Sequence, residues 1–471
     1  MTTFMIAQAE QPHVAMSTTL MFAGLLVGLI ACLALEEKIH AKKSVIAGGF
    51  AALCLLLAAV MDVPLPAELF DIGGHRINMP VYIPGIDWGV IAIILGSSLF
   101  VDVTSKSGLF TWIAIRLTKA SGGDPLKLLW YYGVMTVVFS AVLNNVTAML
   151  IVGALTLVSL ERLGRRDKLL AFLIVEALLT NVGGLLTLIS SVPNIIVGTT
   201  AGIGFVTFFL KSSPYVVVAT AVTILMGARM FDIRRLRDEE EKAEAARLVA
   251  SFDENDGIES RGKFWFGAVM LVLFIVAIST TSVLPYVNEL GMGFVALSFA
   301  FLVLLQYKSR PDEFYRALDW DLLGFFAALF AVIHVMEYAG VLGLIGRGVR
   351  PVLELGPTAG TTVLLGSAAL FSSVTDNIPL SAMLAKIVGG IPLESGLARP
   401  ADDPAWWAVI FGANLGGNIT PIGSASTLVA VTLMHRYKLR ITFMGFVSRA
   451  IVFALVQLVL ASVYLMILAR L

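Results

Sequence analysis

Two polar segments of this chain occur twice, and each copy interrupts a long apolar run. Residues 140–146 (SAVLNNV) match residues 372–378 (SSVTDNI), 232 positions later. Residues 181–191 (NVGGLLTLISS) match residues 414–424 (NLGGNITPIGS), 233 positions later. Polar, helix-breaking segments at matching positions in two halves of an apolar chain are typical of binding sites in secondary transporters. The duplication therefore predicts two related halves that build one central site.

The composition indicates that most of the chain is surrounded by lipid. Of its 471 residues, 58% are hydrophobic and 14% are charged, whereas about a quarter of the residues in soluble domains are charged. Apolar runs of roughly the 20 residues that cross a bilayer recur from Ser17 to Ala469. The 33 basic and 33 acidic residues balance, which says nothing about partners. Because no basic cluster stands out, nucleic acid is not an expected partner.

A charged stretch divides the chain into two predicted membrane repeats. Residues 229–263 contain 8 basic and 10 acidic side chains, and Arg237–Val249 favours an exposed helix by its helix propensity and its i,i+4 charge pairs. We interpret residues 17–228 as the first membrane repeat, residues 229–263 as a charged cytoplasmic connector and residues 264–471 as the second membrane repeat.

The distribution of Lys and Arg predicts an inverted repeat. If the basic loops face the cytoplasm, both termini are periplasmic, and corresponding crossings run in opposite directions in the two halves. The apolar runs 128–160 and 355–385 then enter and leave on the same side. The predicted fold is an all-α polytopic membrane protein, in which each half has about five transmembrane helices, one re-entrant hairpin and a discontinuous helix.

The predicted transport site lies at the hairpin tips and helix breaks. Asn144–Asn145 and Asp376–Asn377 favour the turn of each hairpin, since their side chains can bond to nearby backbone. Paired glycines, with Pro193 and Pro421, predict helix breaks that expose half-helix ends to a solute, although small residues also suit close helix packing. The candidate site residues are Asn144, Asn145, Asn181, Thr187, Ser190, Ser191, Asn194, Asp376, Asn377, Asn414, Thr420 and Ser424.

Two acids inside the apolar runs are candidates for proton coupling, because ionisable residues within a membrane are usually functional. Asp376 lies at a predicted hairpin tip, where a carboxylate can exchange a proton for a transported cation. Glu176 lies close to the first predicted helix break. It fits either proton coupling or a structural ion pair with an arginine.

Four segments resemble the ion transporter superfamily. They are similar to the ArsB/NhaD permease branch, which holds the arsenite permeases, the sodium/proton antiporters and the P protein, and the pattern is closest to P-protein-like transporters. The segments are LNNVTAML (143–150), VEALLTNVGGLLTLISSVPNIIVG (175–198), SSVTDNIPLSAM (372–383) and GANLGGNITPIGSAS (412–426). The resemblance extends from about residue 20 to the C-terminus. It implies two hairpins and two broken helices around a central site, and a homodimer.

The chain departs from the P-like pattern in its first half. Asn144 stands where that pattern has Asp, and Ser191-Val192 stands where it has Asp-Pro. Two carboxylates that could bind a cation or a proton are therefore missing, and Asp376 and Glu176 remain.

We predict from these features a secondary active transporter of a bacterial inner (plasma) membrane. The leading hypothesis is proton-coupled antiport of a small cation, with sodium as the expected ion and Asp376 as its metal-binding carboxylate. Efflux of arsenite, silicic acid or a similar small oxyacid is the alternative, and sodium-coupled carboxylate transport and an uncoupled channel stay open. The expected partners are the transported solute, protons, the lipid bilayer and a second copy of the chain. We expect neither a cofactor nor enzymatic activity, because the sequence holds no nucleotide-binding loop or nucleophile–base pair.

Overall fold

The chain forms a helical membrane protein with one small β-hairpin. The computed structural model describes residues 14–66, 68–72, 75–80, 82–393 and 395–470. Within these ranges, ten helices are long and apolar enough to cross a membrane by length and composition. The predicted all-α polytopic fold is therefore confirmed.

The first part of the chain contains ten helices and the hairpin among its described residues. The helices are α1 (Met16–Ala34), α2 (Glu36–Ile39), α3 (Lys43–Val60), α4 (Trp88–Ser105), α5 (Leu109–Ser121), α6 (Pro125–Val142), α7 (Asn145–Arg162), α8 (Leu169–Gly184), α9 (Val192–Ala201) and α10 (Phe205–Met230). Strand β1 (Glu68–Ile72) pairs antiparallel with β2 (His75–Asn78). The sequence analysis did not predict this hairpin.

The second part of the chain begins with the helix of the connector. Its helices are α11 (Glu239–Ala250), α12 (Arg261–Ser279), α13 (Val287–Leu304), α14 (Pro311–Ala317), α15 (Trp320–Tyr338), α16 (Val341–Leu353), α17 (Gly356–Val374), α18 (Asn377–Gly390), α19 (Pro404–Gly416), α20 (Ala425–Arg436) and α21 (Phe443–Leu468). The ten candidate spans are α1, α3, α4, α6, α7, α10, α12, α13, α15 and α21.

The order of elements from α4 to α10 recurs from α15 to α21. In each series a candidate span is followed by a short helix, a helical hairpin, a broken helix and a last long helix. The short helices α5 and α16 follow the equivalent residues Gly108 and Gly340, whose φ angles of 83° and 78° lie in the left-handed region that favours glycine. The recurrence supports an internal duplication. The membrane orientation and the boundaries drawn from the sequence stay predictions.

The described residues divide into two compact units. One unit combines the described residues up to Trp88 with residues 319–350, so that α15 packs against α1 and α3. Within it, Thr19 donates to the carbonyl of Ala339 at 2.8 Å. The other unit combines residues 89–318 with the described residues from Pro351 onward. It holds every element of the predicted site.

Helices α8 and α19 form the buried centre of the second unit. Every residue of α19 from Ala405 to Gly416 is buried, and so is every residue of α8 except Leu170. The apolar sequences of both helices suit this position, because a buried helix is apolar on all its faces. In α19 an Asp403 N-cap, which accepts from the N–H of Ala405 at 2.8 Å, precedes Pro404, a pair that favours helix initiation.

The charged connector is docked on the ends of α5 and α6. The N–H of Leu236 donates to the carboxylate of Asp124 at 3.1 Å. A Cβ atom placed on Gly123 would lie 2.7 Å from the Cβ of Ala245 in α11. Glu254 accepts from Arg116 at 3.0 Å, so the connector is held by specific contacts as well as by the chain.

The docking of the connector should depend on pH. The hydrogen bond from Lys119 at 3.2 Å, and then the contacts with Arg116, hold the pKa of Glu254 below its ordinary value of 4.5. A lowered folded-state pKa means that these contacts stabilise the folded state above pH 4.5 and are lost as the pH falls below it. We expect Glu254→Gln to remove this part of the pH dependence, measured as the change in thermal midpoint between about pH 7 and about pH 4.

Glu244→Gln is the matched control for this measurement. Glu244 lies in the same connector and makes no ion pair with any residue that the structure describes. Its replacement should therefore leave the pH dependence unchanged. Equal pH profiles for wild type and Glu254→Gln would contradict the assignment.

Candidate functional site

Both predicted helix breaks are present in the second compact unit. Helix α8 ends at Gly184 and α9 begins at Val192, while α19 ends at Gly416 and α20 begins at Ala425. The Ser424 side chain caps α20 by accepting from the N–H of Thr427 at 3.3 Å. The N-terminal ends of α9 and α20 thus lie at the two breaks, where their free N–H groups favour negative charge.

Both predicted hairpin tips are also present. The turn between α6 and α7 falls at residues 143–144, and the turn between α17 and α18 falls at residues 375–376. Asn144 accepts from the N–H of Thr147 at 2.8 Å, and Asp376 accepts from the N–H of Ile378 at 3.1 Å. Asn144 and Asp376 therefore act as equivalent N-caps, and they satisfy backbone donors that would otherwise lack a partner.

Two hydrogen bonds join each hairpin to the broken helix of its own repeat, and both bonds recur in the other repeat. The first bond is donated by a serine of the hairpin. Ser140 donates to the carbonyl of Thr180 at 2.6 Å, and the equivalent Ser372 donates to the carbonyl of Ala413 at 2.6 Å.

Beyond the break, a threonine of each repeat donates back to the hairpin. Thr187 donates to the carbonyl of Ala141 at 2.5 Å, and Thr420 donates to the carbonyl of Ser373 at 2.5 Å. The duplication seen in the sequence is thus repeated in the hydrogen bonds.

The two broken helices are joined to each other by reciprocal Asn–Ser contacts. The amide of Asn181 donates to the hydroxyl of Ser424 at 2.9 Å. At the equivalent place in the other repeat, the hydroxyl of Ser191 donates to the amide oxygen of Asn414 at 2.7 Å. All four side chains are buried. The predicted site residues of the two repeats therefore meet in pairs.

The first pair belongs to a chain of amide groups. Asn181 accepts from Asn145 at 3.3 Å and donates to Asn418 at 2.8 Å. Asn418 in turn donates to Gln457 at 2.8 Å, and Gln457 donates to Thr223 at 2.9 Å. This amide chain links a hairpin tip, both broken helices and the long helices α10 and α21.

The second pair is anchored on the end of α8. Asn414 donates to the amide oxygen of Asn194 at 2.9 Å. Asn194 and Ser190 both donate to the carbonyl of Gly184 at 2.6 Å. Asn194 and Ser190 thus satisfy a carbonyl that the break leaves without a helical partner.

Three predicted site residues, Asn144, Asp376 and Asn377, lie at the helix starts of the hairpins and belong neither to the two Asn–Ser pairs nor to the bonds that anchor them. Asp376 and Asn144 are partly buried and cap their own helices. Asn377 is buried at the start of α18, and its carbonyl accepts from Ser381. The groups that join the two broken helices are therefore neutral amides and hydroxyls.

Glu176 is fully buried in α8 and accepts from Thr156 of α7 at 2.6 Å. The sequence left open an ion pair between Glu176 and an arginine. Among the described residues the acid instead bonds to a threonine hydroxyl.

A metal ion at the site would have few charged ligands. In the described residues, no group of three or more His, Cys, Asp and Glu side chains could hold a metal ion. Asp376 is the one carboxylate among the twelve predicted site residues, and the others offer neutral oxygens.

Sequence reasoning missed several members of the amide chain. Asn418 lies inside the motif 414–424 and was overlooked although it is polar and buried. Gln457 is a lone amide in the apolar run of α21, and a polar residue at such a position could have indicated a buried hydrogen bond. Ser426 and Thr427 bond to Asn181 and Ser424, respectively, and could have been inferred from their place after the break.

Comparison with known families supports a transporter. The sequence pattern of the CitMHS family, described as "Citrate transporter", matches residues 30–412. The uncharacterized transporter Rv2684 of Mycobacterium tuberculosis is 31% identical over 381 residues, which cover 81% of this chain and 86% of that protein. The "46 kDa membrane protein" of Mycobacterium leprae is 31% identical over 382 residues, with the same shares covered.

The P protein is a more distant relative of this chain. The P protein of Homo sapiens is 22% identical over an alignment of 512 residues, which covers 92% of this chain and 60% of the P protein. The resemblance of the four segments to P-protein-like sequences is thus confirmed at the level of the wider family.

Solved structures show a similar fold. The YdaH transporter of Alcanivorax borkumensis, reported to have an unusual topology, matches with a TM-score of 0.57 at 15% identity, covering 91% of this chain and 98% of that one. MtrF of Neisseria gonorrhoeae, described with a class of antimetabolite efflux pumps, matches with a TM-score of 0.57 at 13% identity, covering 91% and 95%. At these identities the likeness concerns the fold alone.

Proposed function

The chain belongs to the CitMHS citrate transporter family and is an integral membrane transporter, and we propose that its solute is a small carboxylate anion moved by secondary active transport. One observation carries this proposal: the two broken helices are joined by neutral groups, which are amides of α8 and α19 and hydroxyls at the N-terminal ends of α9 and α20. Such ends attract negative charge. The family description as a citrate transporter supports a di- or tricarboxylate.

In this proposal the hydroxyls and amides exchange their internal bonds for bonds to the solute. Ser191, Asn194 and Ser424 provide donors at the two helix starts, and Asn181 and Asn414 hold them in place. Thr187, Ser190 and Thr420 hold the breaks open by bonding to backbone carbonyls. Asn145 and Asn377 begin the second helix of each hairpin, close to the capping residues Asn144 and Asp376.

Coupling needs a group that changes charge, and Asp376 and Glu176 are the acids that we assign to it. Asp376 is the hairpin-tip carboxylate that has only an asparagine at its equivalent position. Proton-coupled antiport of a small cation, with sodium as the ion, is the second candidate function, and the single carboxylate at Asp376 favours it. Efflux of a small oxyacid would use the same neutral donors as a carboxylate.

We also propose a family branch, a membrane orientation and an oligomeric state for the protein. We assign the chain to the ArsB/NhaD-like members of the wider superfamily, to a bacterial inner membrane with periplasmic termini, and to a homodimer. The division of basic residues between loops supports the orientation. Labelling of single cysteines placed in the connector and near the termini would test the orientation directly.

Transport by reconstituted protein tests the solute. Purified protein in liposomes should take up radiolabelled citrate when an inward proton or sodium gradient is imposed, and unlabelled citrate should compete. Asp376→Asn should abolish accumulation against a gradient and leave citrate counterflow intact, because counterflow needs the site but no net coupling. Asp402→Asn is the matched control, since this acid is exposed in the loop before α19.

The competing functions give different results in the same liposomes. Proton flux driven by sodium, with no response to citrate, would contradict the carboxylate proposal and support cation antiport. Arsenite flux without citrate flux would support the oxyacid alternative. Full gradient-driven accumulation by Asp376→Asn would remove Asp376 from the coupling mechanism.

A further inference from the structure

Helix α8 contains a fully buried acid, Glu176, with one oxygen that lacks a hydrogen-bond partner among the described residues. Oε1 of Glu176 accepts from the hydroxyl of Thr156 at 2.6 Å. Oε2 is buried and has no hydrogen-bond partner among the described residues. Burying an ionised carboxylate that is neither paired nor fully hydrogen-bonded is costly, and a proton on Oε2 would remove that cost.

Three buried hydroxyl groups, one each from α5, α6 and α7, form a hydrogen-bonded triad. Thr118 of α5 lies 2.9 Å from the hydroxyl of Tyr132 in α6. The Tyr132 hydroxyl lies 2.7 Å from that of Ser159 in α7, and Thr118 lies 3.3 Å from Ser159. Each hydroxyl can donate once and accept as well. The Thr118 hydroxyl donates to the carbonyl of Ala114 at 2.8 Å, so the triad passes a proton only when this O–H turns toward Tyr132 or Ser159.

Helix α7 connects this triad to the buried acid. Ser159 belongs to the triad, and Thr156, three residues earlier, donates to Glu176. Side chains three positions apart on a helix lie on one face with Cβ atoms about 5–6 Å apart. The described hydrogen bonds do not join these two hydroxyls directly, so the path requires one water between them. Both side chains are buried, so the path between them is shielded from lipid.

The Thr118 end of the triad lies on α5, the helix that also contacts the connector. Arg116 and Lys119 stand on either side of Thr118 along this helix, and both bond to Glu254 of the connector, while Thr118 itself is buried. At the other end, Glu176 lies five residues before Asn181, which corresponds to about 7.5 Å along α8. The hydroxyl groups thus lie between the helix that carries this charged cluster and the helix that carries Asn181.

The titratable groups around Glu176 leave it without a counter-ion among the described residues. Tyr132 of α6 and Tyr437, just after α20, are the groups within electrostatic range of it. On the short helix that precedes α8, Arg166 bonds to Glu161 at 2.6 Å, and Lys168 lies 3.7 Å from Asp167. Helix α19 carries no charged residue, and Arg449 of α21 donates to the carbonyl of Gly445 at 2.7 Å. On α20, which also packs against α8, the His435 ring contacts the carbonyl of Ile441 at 2.8 Å.

We propose that Thr118, Tyr132, Ser159 and Thr156 relay protons between the charged surface at α5 and Glu176, which binds the coupling proton. In each passage a hydroxyl accepts one proton and releases its own, so every relay member stays neutral and Glu176 gains or loses the proton. The proposal rests on the proposed function only in naming this proton as the coupling proton. The relay itself can be tested without a solute.

Hydrogen–deuterium exchange of the buried acid tests the relay. Wild-type protein in liposomes should show an infrared band of a protonated carboxyl that Glu176→Gln lacks. After a switch to D₂O, the shift of this band reports how fast a proton reaches Glu176. Tyr132→Phe removes the middle hydroxyl and should slow the shift by roughly 10²-fold, the lower end of what a positioned proton donor contributes.

Tyr215→Phe is the matched control, because the Tyr215 hydroxyl is equally buried and donates to the carbonyl of Gln457 outside the relay. Equal exchange rates in Tyr132→Phe and Tyr215→Phe would overturn the relay, as would a wild-type protein without the Glu176 band at any pH. Ser159→Ala should slow exchange as Tyr132→Phe does, which guards against one misfolded variant. Failure of citrate transport with slowed exchange in Tyr132→Phe would overturn the proposed solute and leave the relay standing.

Discussion

Replacement of Gly416 by alanine is expected to destabilise the protein strongly. A Cβ atom at this position would lie 2.3 Å from the carbonyl oxygen of Ala369 and 2.7 Å from its Cα atom. These are backbone atoms of α17, so the hairpin would have to move away from the broken helix. Overpacking of this kind costs about 1–3 kcal/mol or more, and the thermal midpoint of the purified protein measures it.

The equivalent glycine of the first repeat should behave in the same way. A Cβ atom on Gly183 would lie 2.7 Å from the Cα and carbonyl oxygen of Val137 in α6. Gly366 of α17 is the matched control, because no atom lies within 4 Å of the corresponding Cβ position. Gly366→Ala should be neutral or slightly stabilising, since alanine favours a helix. Similar thermal midpoints for Gly416→Ala and Gly366→Ala would contradict the close contact.

Replacement of Asn181 by alanine is expected to reduce transport severely. Asn181 bonds to four side chains of the site, and its loss leaves buried amide and hydroxyl groups without partners. The bonded side chains are Asn145, Asn418, Ser424 and Ser426. Each unsatisfied buried group costs about 1–3 kcal/mol. An increase of about 2 kcal/mol in the transport barrier corresponds to roughly a 30-fold slower rate, which citrate counterflow in liposomes measures.

The reciprocal contact gives a second test of the same idea. Asn414→Ala should have a similar effect, and a double-mutant cycle of Asn181 with Ser424 should give a coupling energy of about 0.5–3 kcal/mol. Thr220→Val is the control, because among the described residues this buried hydroxyl of α10 bonds to the carbonyl of Val216 in its own helix and to no other group. Transport by Asn181→Ala at the rate of Thr220→Val would remove the amide chain from the transport site.

The local features of the fold could be read from the sequence because they depend on nearby residues. Asn144–Asn145 and Asp376–Asn377 predict hairpin tips through their turn and capping chemistry, and α7 and α18 begin at Asn145 and Asn377. The glycine pairs predict the ends of α8 and α19 for a similar reason. Gly183 and Gly416 also lie in close contact with the neighbouring helix. The glycine pairs therefore serve both close helix packing and the helix breaks.

The pairing of distant polar groups could not be read in the same way. Asn418 and Gln457 each look like a single polar residue in an apolar run, and only folding brings them within 2.8 Å of each other. Glu176 illustrates the same limit, since its partner Thr156 carries no charge that would point to it. The strands β1 and β2 were missed because a short hairpin gives little periodic signal.

The reciprocal contacts of Asn181 with Ser424 and of Ser191 with Asn414 have the form of an isologous interface, in which each partner offers the other the same surface. In an isologous interface between two identical chains, every substitution appears on both sides at once. Because both repeats lie in one chain here, each position can differ from its counterpart. Asn144 and Asp376 differ in this way, since the equivalent turns carry an amide in one half and a carboxylate in the other. A single chain with symmetric contacts can therefore carry charge on one side only.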